Sequence, residues 1–297
     1  MASIDQDIVG ITRTIYGTYL QTIKTLGLPF EMIENTTLNE RFNVQSGVAP
    51  SSAQVPSMRY MAIGNLGHRT ITAEDGSDET VPVAHSADDA GLWGQIPFVL
   101  RETTNDLPEH MRSRYALRVQ EQHDGVTYFA YYLRRIDMRD VVCQLQQVTV
   151  VDDIATTTPF TPTRDNLNPT RPTIPNTGVI LGSSSSKSAS AIVTLKLQAD
   201  DVAEILNAHK IRTGSDRSPV ISELALCSGV DKSVQGQSGS SGTFTYNECI
   251  ACQVNVFVST YHALGYANEG AEFTLDVGGV EPLLGTDDAG NASFLGS

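Results

Sequence analysis

Two cysteines, Cys249 and Cys252, have the spacing most suggestive of chemistry in this sequence. Thiolates separated by two residues occur in structural zinc sites and in redox motifs. A structural zinc site needs a second pair of ligands, however, and Cys143 and Cys227 are isolated. The pair also leads into a segment of alternating hydrophobicity, which predicts a strand with Cys249 and Cys252 on opposite faces. We therefore predict buried structural thiols and no metal or redox site.

Histidine and carboxylate side chains show no spacing typical of a catalytic or metal site. The six histidines are scattered, and no H-x-H or H-E-x-x-H pattern occurs. Acidic clusters at 74–79, Asp88-Asp89 and Asp287-Asp288 lack the ligand spacing of an EF-hand loop, which favours solvated loops. The G-x-S-x-G nucleophile elbow and the glycine-rich phosphate-binding motifs are also absent. The sequence thus predicts no enzymatic activity, no catalytic residue, no bound metal and no cofactor.

Length, charge and hydropathy exclude several other classes of protein. The 297 residues suffice for one large domain or two. Acidic residues outnumber basic ones by 34 to 20, and the net charge of −14 argues against nucleic acid as a partner. No run approaches 18 apolar residues, so we expect no membrane span. Asp5 and Asp7 stand where the basic region of a signal peptide would be.

The basic residues are unevenly distributed along the chain. Fifteen of the 20 are arginines, and nine of these lie between Met58 and Arg139, where lysine is absent. Arginine pairs with carboxylates through two parallel hydrogen bonds and tolerates partial burial, so this bias suits protein–protein interfaces. Seven acidic residues and no basic ones follow Lys232. The two regions could pair within one subunit or between neighbours, or could be ordinary solvated surfaces.

A stripe of apolar residues near the N-terminus predicts a long amphipathic helix over Ile4–Leu26, within an N-terminal element at 1–27. Ser3 and Gln6 form a possible capping box, and Gly27 provides the stop. The stripe needs a partner, which is either the chain's own domain or a helix of another subunit. Its members recur every three or four residues: Ile4, Ile8, Ile11, Ile15, Tyr19, Ile23 and Leu26.

Residues 28–155 form a predicted β-rich domain whose clearest feature is a hairpin at 114–136. Alternating apolar residues flank Asp124-Gly125, a dipeptide typical of tight hairpin turns. Aromatic residues such as Tyr131 and Tyr132 fall on both faces of the second strand. A packed sandwich or an interface on the second face would explain this pattern.

The second half of the chain begins after a proline-rich and serine-rich segment at 156–190. Five of the 13 prolines fall within 21 residues there, which predicts a linker or a long surface loop. A second β-rich domain follows at 191–284, with a short helix that Asp200 and Asp201 cap, and a flexible tail at 285–297. The predicted fold class is α+β and mostly β, in which a long N-terminal amphipathic helix precedes antiparallel, sandwich-like sheets.

Segments in both halves of the chain resemble structural proteins of tailed-bacteriophage virions. These segments are Met58–Arg69, Leu107–Arg118, Tyr128–Arg135, Ile221–Asp231 and Cys252–Thr260. The resemblance implies a non-enzymatic virion component, assembled in the cytoplasm of the bacterial host. Its nearest likeness is a wedge-type baseplate subunit in the tail of a contractile-tailed phage. Such a subunit forms a homo-oligomer or a hetero-oligomeric ring with other virion structural proteins.

Two parts of the chain are the candidate interface: the N-terminal helix and the hairpin. Buried apolar area would supply the affinity, and arginine–carboxylate pairs would fix the orientation. Alternatives are a neck or head–tail connector, a carbohydrate-binding module that uses the hairpin tyrosines, and a hydrolase embedded in a tail. The candidate interface residues are Ile4, Ile8, Ile11, Ile15, Tyr19, Ile23, Arg114, Arg118, Tyr128, Tyr132 and Arg134.

Overall fold

A computed structural model of the protein describes residues 8–151, 154–169, 185–237, 243–265 and 270–282. Its helices are α1 (Ile15–Leu26), α2 (Leu38–Phe42), α3 (Glu109–Arg112), α4 (Ala199–Thr213) and a 3-10 helix at Arg164–Leu167. Its strands are β1 (Ile8–Arg13), β2 (Ser57–Gly64), β3 (His68–Thr72), β4 (Asp78–Pro82), β5 (Gln95–Ile96), β6 (Val99–Glu102), β7 (Tyr115–His123), β8 (Val126–Arg135), β9 (Cys143–Val151), β10 (Ile154–Pro159), β11 (Ser185–Leu197), β12 (Val220–Gln237), β13 (Thr243–Ala263), β14 (Ala271–Asp276) and β15 (Gly279–Pro282).

The chain divides into two compact units, each assembled from two separate stretches. Unit 1 comprises Met1–Asp137 and Lys196–Glu272, and unit 2 comprises Met138–Leu195 and Phe273–Ser297. The segment 156–190, predicted to be a linker or a long surface loop, falls within unit 2. The described part of that segment includes β10 and the start of β11. The domain limits that the sequence suggested stay a prediction.

Unit 1 is built on an antiparallel sheet in the order β1-β13-β12-β2-β8-β6, with β5 on β2 and β7 on β8. A separate ribbon pairs β3 with β4. The long strands β12 and β13 form a ladder from Val220 opposite Ala263 to Gln237 opposite Thr243. The prediction of a mostly β protein with antiparallel sheets is therefore confirmed. Residues 238–242, between these two strands, lie outside the described residues.

The predicted helix over Ile4–Leu26 is wrong over residues 8–13, and its first four residues lie outside the described residues. Residues Ile8–Arg13 form β1, which pairs with β13, and α1 begins only at Ile15. Thr14 separates the two elements because its buried hydroxyl accepts the Gly17 N–H at 3.0 Å and donates to the Val254 carbonyl at 2.6 Å. The β-branched side chains of this segment favour an extended backbone. Hydrogen bonding to the edge of β13 therefore stabilises a strand here, although the apolar residues have helical spacing. The stop predicted at Gly27 is confirmed, since Gly27 has φ +65° at the helix C-cap.

The hairpin predicted at 114–136 is confirmed as β7 and β8. The register runs to His123 opposite Val126, and Asp124 and Gly125 both have positive φ, at 50° and 78°. Two positive φ angles are the requirement of the tight turn that suits the right-handed twist of strands. The turn chemistry visible in the sequence thus sets the register of β8.

Unit 2 is an antiparallel sheet in the order β10-β9-β11-β14, with β15 also paired to β11. β10 covers part of the segment that the prolines marked as a linker. Its Thr156-Thr157-Thr158 run is β-branched, which suits a strand, and Pro159 occurs only at its last residue. The β propensity of the threonines therefore favours a strand up to Pro159, the first proline of the segment.

Gly17 allows α1 to lie directly on β13. A Cβ at this position would be 2.7 Å from the Asn255 carbonyl oxygen and 3.0 Å from its Cα. Both contacts are with backbone, which cannot rotate away. Leu20 and Ile23 of the same helix are buried beside Gly17.

We predict that Gly17→Ala destabilises the protein, although alanine ordinarily favours a helix by about 1 kcal/mol over glycine. The clash must separate α1 from β13, so we expect a loss of about 2 kcal/mol in the free energy of unfolding. Urea denaturation followed by circular dichroism measures it. Gly10→Ala is the control, since a Cβ there meets nothing within 4 Å. Equal effects of the two substitutions would contradict the assignment.

Candidate functional site

The first half of the N-terminal stripe lies on β1 and at the start of α1. Ile4 lies outside the described residues, and Ile8 is in β1. The side chains of Ile11 and Ile15 are 54% and 59% exposed. These two residues are available to a partner, and their role in an interface stays a prediction.

The second half of the stripe packs inside unit 1. Ile23 is 4% exposed and forms a small core with Leu20, Phe30 and Ala251. Tyr19 is half-buried against this core, with its ring centroid 6.4 Å from that of Phe30. The chain itself therefore supplies the cover for this end of the helix.

Aromatic rings on one face of the hairpin pack within unit 1. Tyr132 stacks on Phe42 with ring centroids 4.3 Å apart, and its hydroxyl donates to Glu121. Tyr128, half-buried, lies against the ring of His123 at 5.9 Å. Phe42 comes from α2, far from the hairpin in sequence, so sequence periodicity could not reveal this cover.

The hairpin arginines Arg114 and Arg134 both pair with Asp201 of α4. The Arg114 Nη2 lies 3.4 Å from Asp201 Oδ1, and Arg134 approaches the same oxygen more closely. The other Asp201 oxygen accepts the Gln198 N–H at 2.8 Å, which confirms the cap predicted for Asp201. Asp201 is only 2% exposed. The two arginines thus fasten α4 to the hairpin.

Arg118, the third candidate arginine, is held by Asp106. Its Nη1 donates to Asp106 Oδ2 at 3.1 Å, and its guanidinium lies 4.2 Å from the centroid of the Phe129 ring. The Tyr131 hydroxyl donates to the same carboxylate at 2.6 Å. Arg112 also pairs with Asp106.

A similar cluster holds Arg135, at the end of the hairpin. Arg135 donates to both oxygens of Asp231, at 2.6 and 2.9 Å, and the Tyr60 hydroxyl donates to the same carboxylate at 2.7 Å. Asp231 precedes Lys232, so this pair does not join the two regions of opposite charge, and their pairing stays a prediction. The hairpin arginines therefore bind carboxylates of their own chain.

The most chemically suggestive cluster is one that sequence spacing missed: His85 with Asp89 and Glu223. Each imidazole nitrogen lies 2.8 Å from a carboxylate oxygen, Nδ1 from Asp89 and Nε2 from Glu223. The ring is stacked between Trp93 and Phe257, at 3.9 Å from each centroid. His85 and Glu223 lie 138 residues apart in sequence, so no local motif announces them.

Glu223 is saturated with hydrogen-bond donors. Besides its contact with His85, the Glu223 carboxylate accepts hydrogen bonds from the backbone N–H groups of Leu66, Trp93 and Gly94, at 2.8–3.0 Å. Burial raises the pKa of Glu223, but the hydrogen bonds outweigh burial and hold the pKa below the ordinary glutamate value. Both nitrogens of His85 are likewise occupied. The cluster joins two loops to β12 and leaves neither group free for a substrate.

We predict that Glu223→Gln lowers the free energy of unfolding by about 2–3 kcal/mol at pH 7, because an amide nitrogen would face backbone donors. The lowered pKa means that the contribution of Glu223 is present above its unfolded-state pKa of about 4.3 and is lost as pH falls through the lower folded-state pKa. Stability measured from pH 3 to pH 7 should therefore fall less steeply in the variant. Glu34→Gln, at an exposed position, is the control. A variant that keeps the wild-type pH dependence would refute this account.

The cysteines differ from the prediction in geometry. Cys249 and Cys252 are not on opposite faces, since Ala251 has φ +50° in an irregular part of the ladder and the thiol of Cys252 hydrogen-bonds with Cys249 and Cys227. All three are fully buried. Burial and the neighbouring thiols raise the pKa of Cys252 well above the usual value, so this thiol stays protonated. Metal binding and nucleophilic attack both need the thiolate.

The described residues offer neither a metal site nor a membrane-spanning helix. No group of three or more His, Cys, Asp or Glu side chains there has the geometry to hold a metal ion. None of the helices in the same residues is long and apolar enough to cross a membrane.

The exposed apolar surface of unit 2 is the remaining candidate. Every residue of β10 is exposed, and Leu145 of β9 and Ile154 of β10 are 49% and 69% exposed. Val148 and Thr149 are only half-buried. Ladder partners share a face of a sheet, and the pairs Leu145–Ala189, Thr149–Ser185, Thr156–Thr149 and Ile154–Val151 place Leu145 and Ile154 on one face. We call this face the β9–β10 face.

Residues 1–292 match the model of a family described as "Family of unknown function (DUF7208)". The chain belongs to this family. No curated protein and no solved structure matches it. Membership in DUF7208 assigns no activity, so the resemblance to tail proteins stays a prediction for this member.

Proposed function

We propose that this member of the DUF7208 family is a non-enzymatic structural component of a phage particle. Its place is the tail baseplate, where it acts through contacts with other protein chains. Two features support the proposal: the groups suited to chemistry are occupied inside unit 1, and unit 2 presents an uncovered sheet.

The observation that carries the proposal is the β9–β10 face. A sheet that exposes apolar side chains on an uncovered face gains little from burial until another surface packs on it. A sheet of a neighbouring chain about 10 Å away would complete the sandwich-like arrangement that the sequence suggested. Among the described strands, β10 lies at the edge of this sheet, so its outer backbone groups can pair with a partner strand.

A carbohydrate-binding function has less support from this geometry. A sugar-stacking platform needs exposed aromatic rings, whereas Tyr131 and Tyr132 are each 1% exposed. A neck or head–tail connector remains the structural alternative. Co-expression with the baseplate proteins, and separately with the neck proteins, of one contractile-tailed phage distinguishes the two positions by which set co-purifies.

We predict that the double substitution Leu145→Asp and Ile154→Asp weakens association at least tenfold. Burying each side chain is worth about 1.5–3 kcal/mol, and a buried unpaired carboxylate opposes association further. Light scattering at several protein concentrations measures the mass. Val126→Asp is the matched control, a 38% exposed residue of unit 1. A wild type that is monomeric alone and with other virion proteins would overturn the proposal.

A further inference from the structure

A second uncovered apolar surface lies in unit 1, at the C-terminal end of α1. It is an open groove of about 360 Å³, distinct from the β9–β10 face. Leu28 and Val55 of this groove are 49% and 38% exposed, and Leu26 in the last turn of α1 is 64% exposed. We call it the α1 groove, and its lining residues are Ile23, Lys24, Gly27, Leu28, Pro29, Ser52 and Val55.

The α1 groove has a positively charged rim. Partial burial and the charge of Arg59 lower the pKa of Lys24, so the two cations are close enough to repel each other. Within the described part of the chain, neither Lys24 nor Arg59 has a carboxylate partner. An acidic ligand would relieve the repulsion, and an apolar one would cover Leu28 and Val55. A ligand that fits the groove therefore has acidic and apolar side chains in one segment.

Residues 283–297 of this chain have that composition. The segment lies outside the described residues, and it contains Asp287-Asp288 and the apolar pair Phe294-Leu295 without any basic residue. Its 15 residues can span at most about 50 Å, at roughly 3.3–3.6 Å per residue. This length suffices to reach from Pro282, the last described residue, to a neighbouring molecule.

We infer that residues 283–297 of one copy bind in the α1 groove of a second copy. Phe294 and Leu295 cover the apolar floor, and Asp287 and Asp288 lie against Lys24 and Arg59. The contact is heterologous, since it joins two different surfaces, and repetition of it produces a ring or a filament. The inference rests on the proposed function, in which the protein acts through contacts with other chains, and it names a second copy of this chain as one of those partners.

A labelled peptide of residues 283–297, titrated into the full chain, tests the groove directly. Fluorescence anisotropy should show binding to the wild type and at least tenfold weaker binding to Lys24→Glu. A peptide with Asp287→Lys and Asp288→Lys should bind the Lys24→Glu chain more tightly than the natural peptide does. Lys210→Glu is the control of equal charge change, on α4, and should leave the affinity within twofold. No binding, or the same affinity for Lys24→Glu as for the wild type, overturns the inference.

Mixing two full-length variants tests whether the contact joins separate molecules. The Lys24→Glu chain has the natural segment 283–297 but an altered α1 groove. The chain with Asp287→Lys and Asp288→Lys has the natural α1 groove but an altered segment 283–297. Each should associate at least tenfold more weakly alone, and an equimolar mixture should recover association in sedimentation velocity. A mixture that recovers nothing overturns docking between copies, including when the peptide binds, because the tail would then bind its own molecule.

Failure of this inference is distinguishable from failure of the proposed function. If the wild type assembles and depends on Leu145 and Ile154 but is indifferent to Lys24→Glu, only the tail inference is overturned. If the wild type is monomeric alone and with other virion proteins, both are overturned.

Discussion

Unit 1 depends on hydrogen bonds between carboxylates shielded from solvent and donors of the same chain. Burying an ionised group costs several kcal/mol unless hydrogen bonds replace its water. Glu223 receives three backbone N–H groups and His85, while Asp106 receives two arginines and the Tyr131 hydroxyl. Removing one donor or the carboxylate leaves its partners buried and unsatisfied. The loops and the hairpin are therefore held in one arrangement.

This constraint also changes the meaning of the arginine bias. Arg114, Arg118 and Arg134 were attractive as interface residues because arginine is common where proteins meet. In the fold each of them pairs with Asp106 or Asp201 of its own chain, close to buried tyrosines. A planar guanidinium can satisfy a buried carboxylate as well as it satisfies one on a partner. Composition alone does not separate the two uses.

The two units differ in how much of their apolar surface is buried within the chain. Unit 1 buries Tyr131 and Tyr132 of its hairpin, whereas the β9–β10 face of unit 2 exposes Leu145 and Ile154. Such an unfinished surface suits a part that becomes complete on assembly. The α1 groove is a second uncovered area, on unit 1, and Lys24 in its lining is opposite in charge to Asp287 and Asp288 of the segment 283–297.

Features that depend on a few neighbouring residues were predictable from the sequence. The Asp124-Gly125 turn, the Gly27 stop and the Asp201 cap each follow from backbone preferences and hydrogen bonds within about four residues. The antiparallel, mostly β class also followed, because alternation reports directly on strands with two different faces.

Features that depend on distant residues were decided only in the tertiary structure. The stripe from Ile4 to Ile15 has helical spacing, but pairing with β13, more than 240 residues away, made part of it a strand. The positive φ at Ala251 turned Cys249 and Cys252 towards the same thiol cluster, against simple alternation. His85 meets Glu223 across 138 residues. Local sequence encodes turns and caps through short-range sterics, whereas the partner of a buried charge is whichever group the folded chain brings within 3 Å.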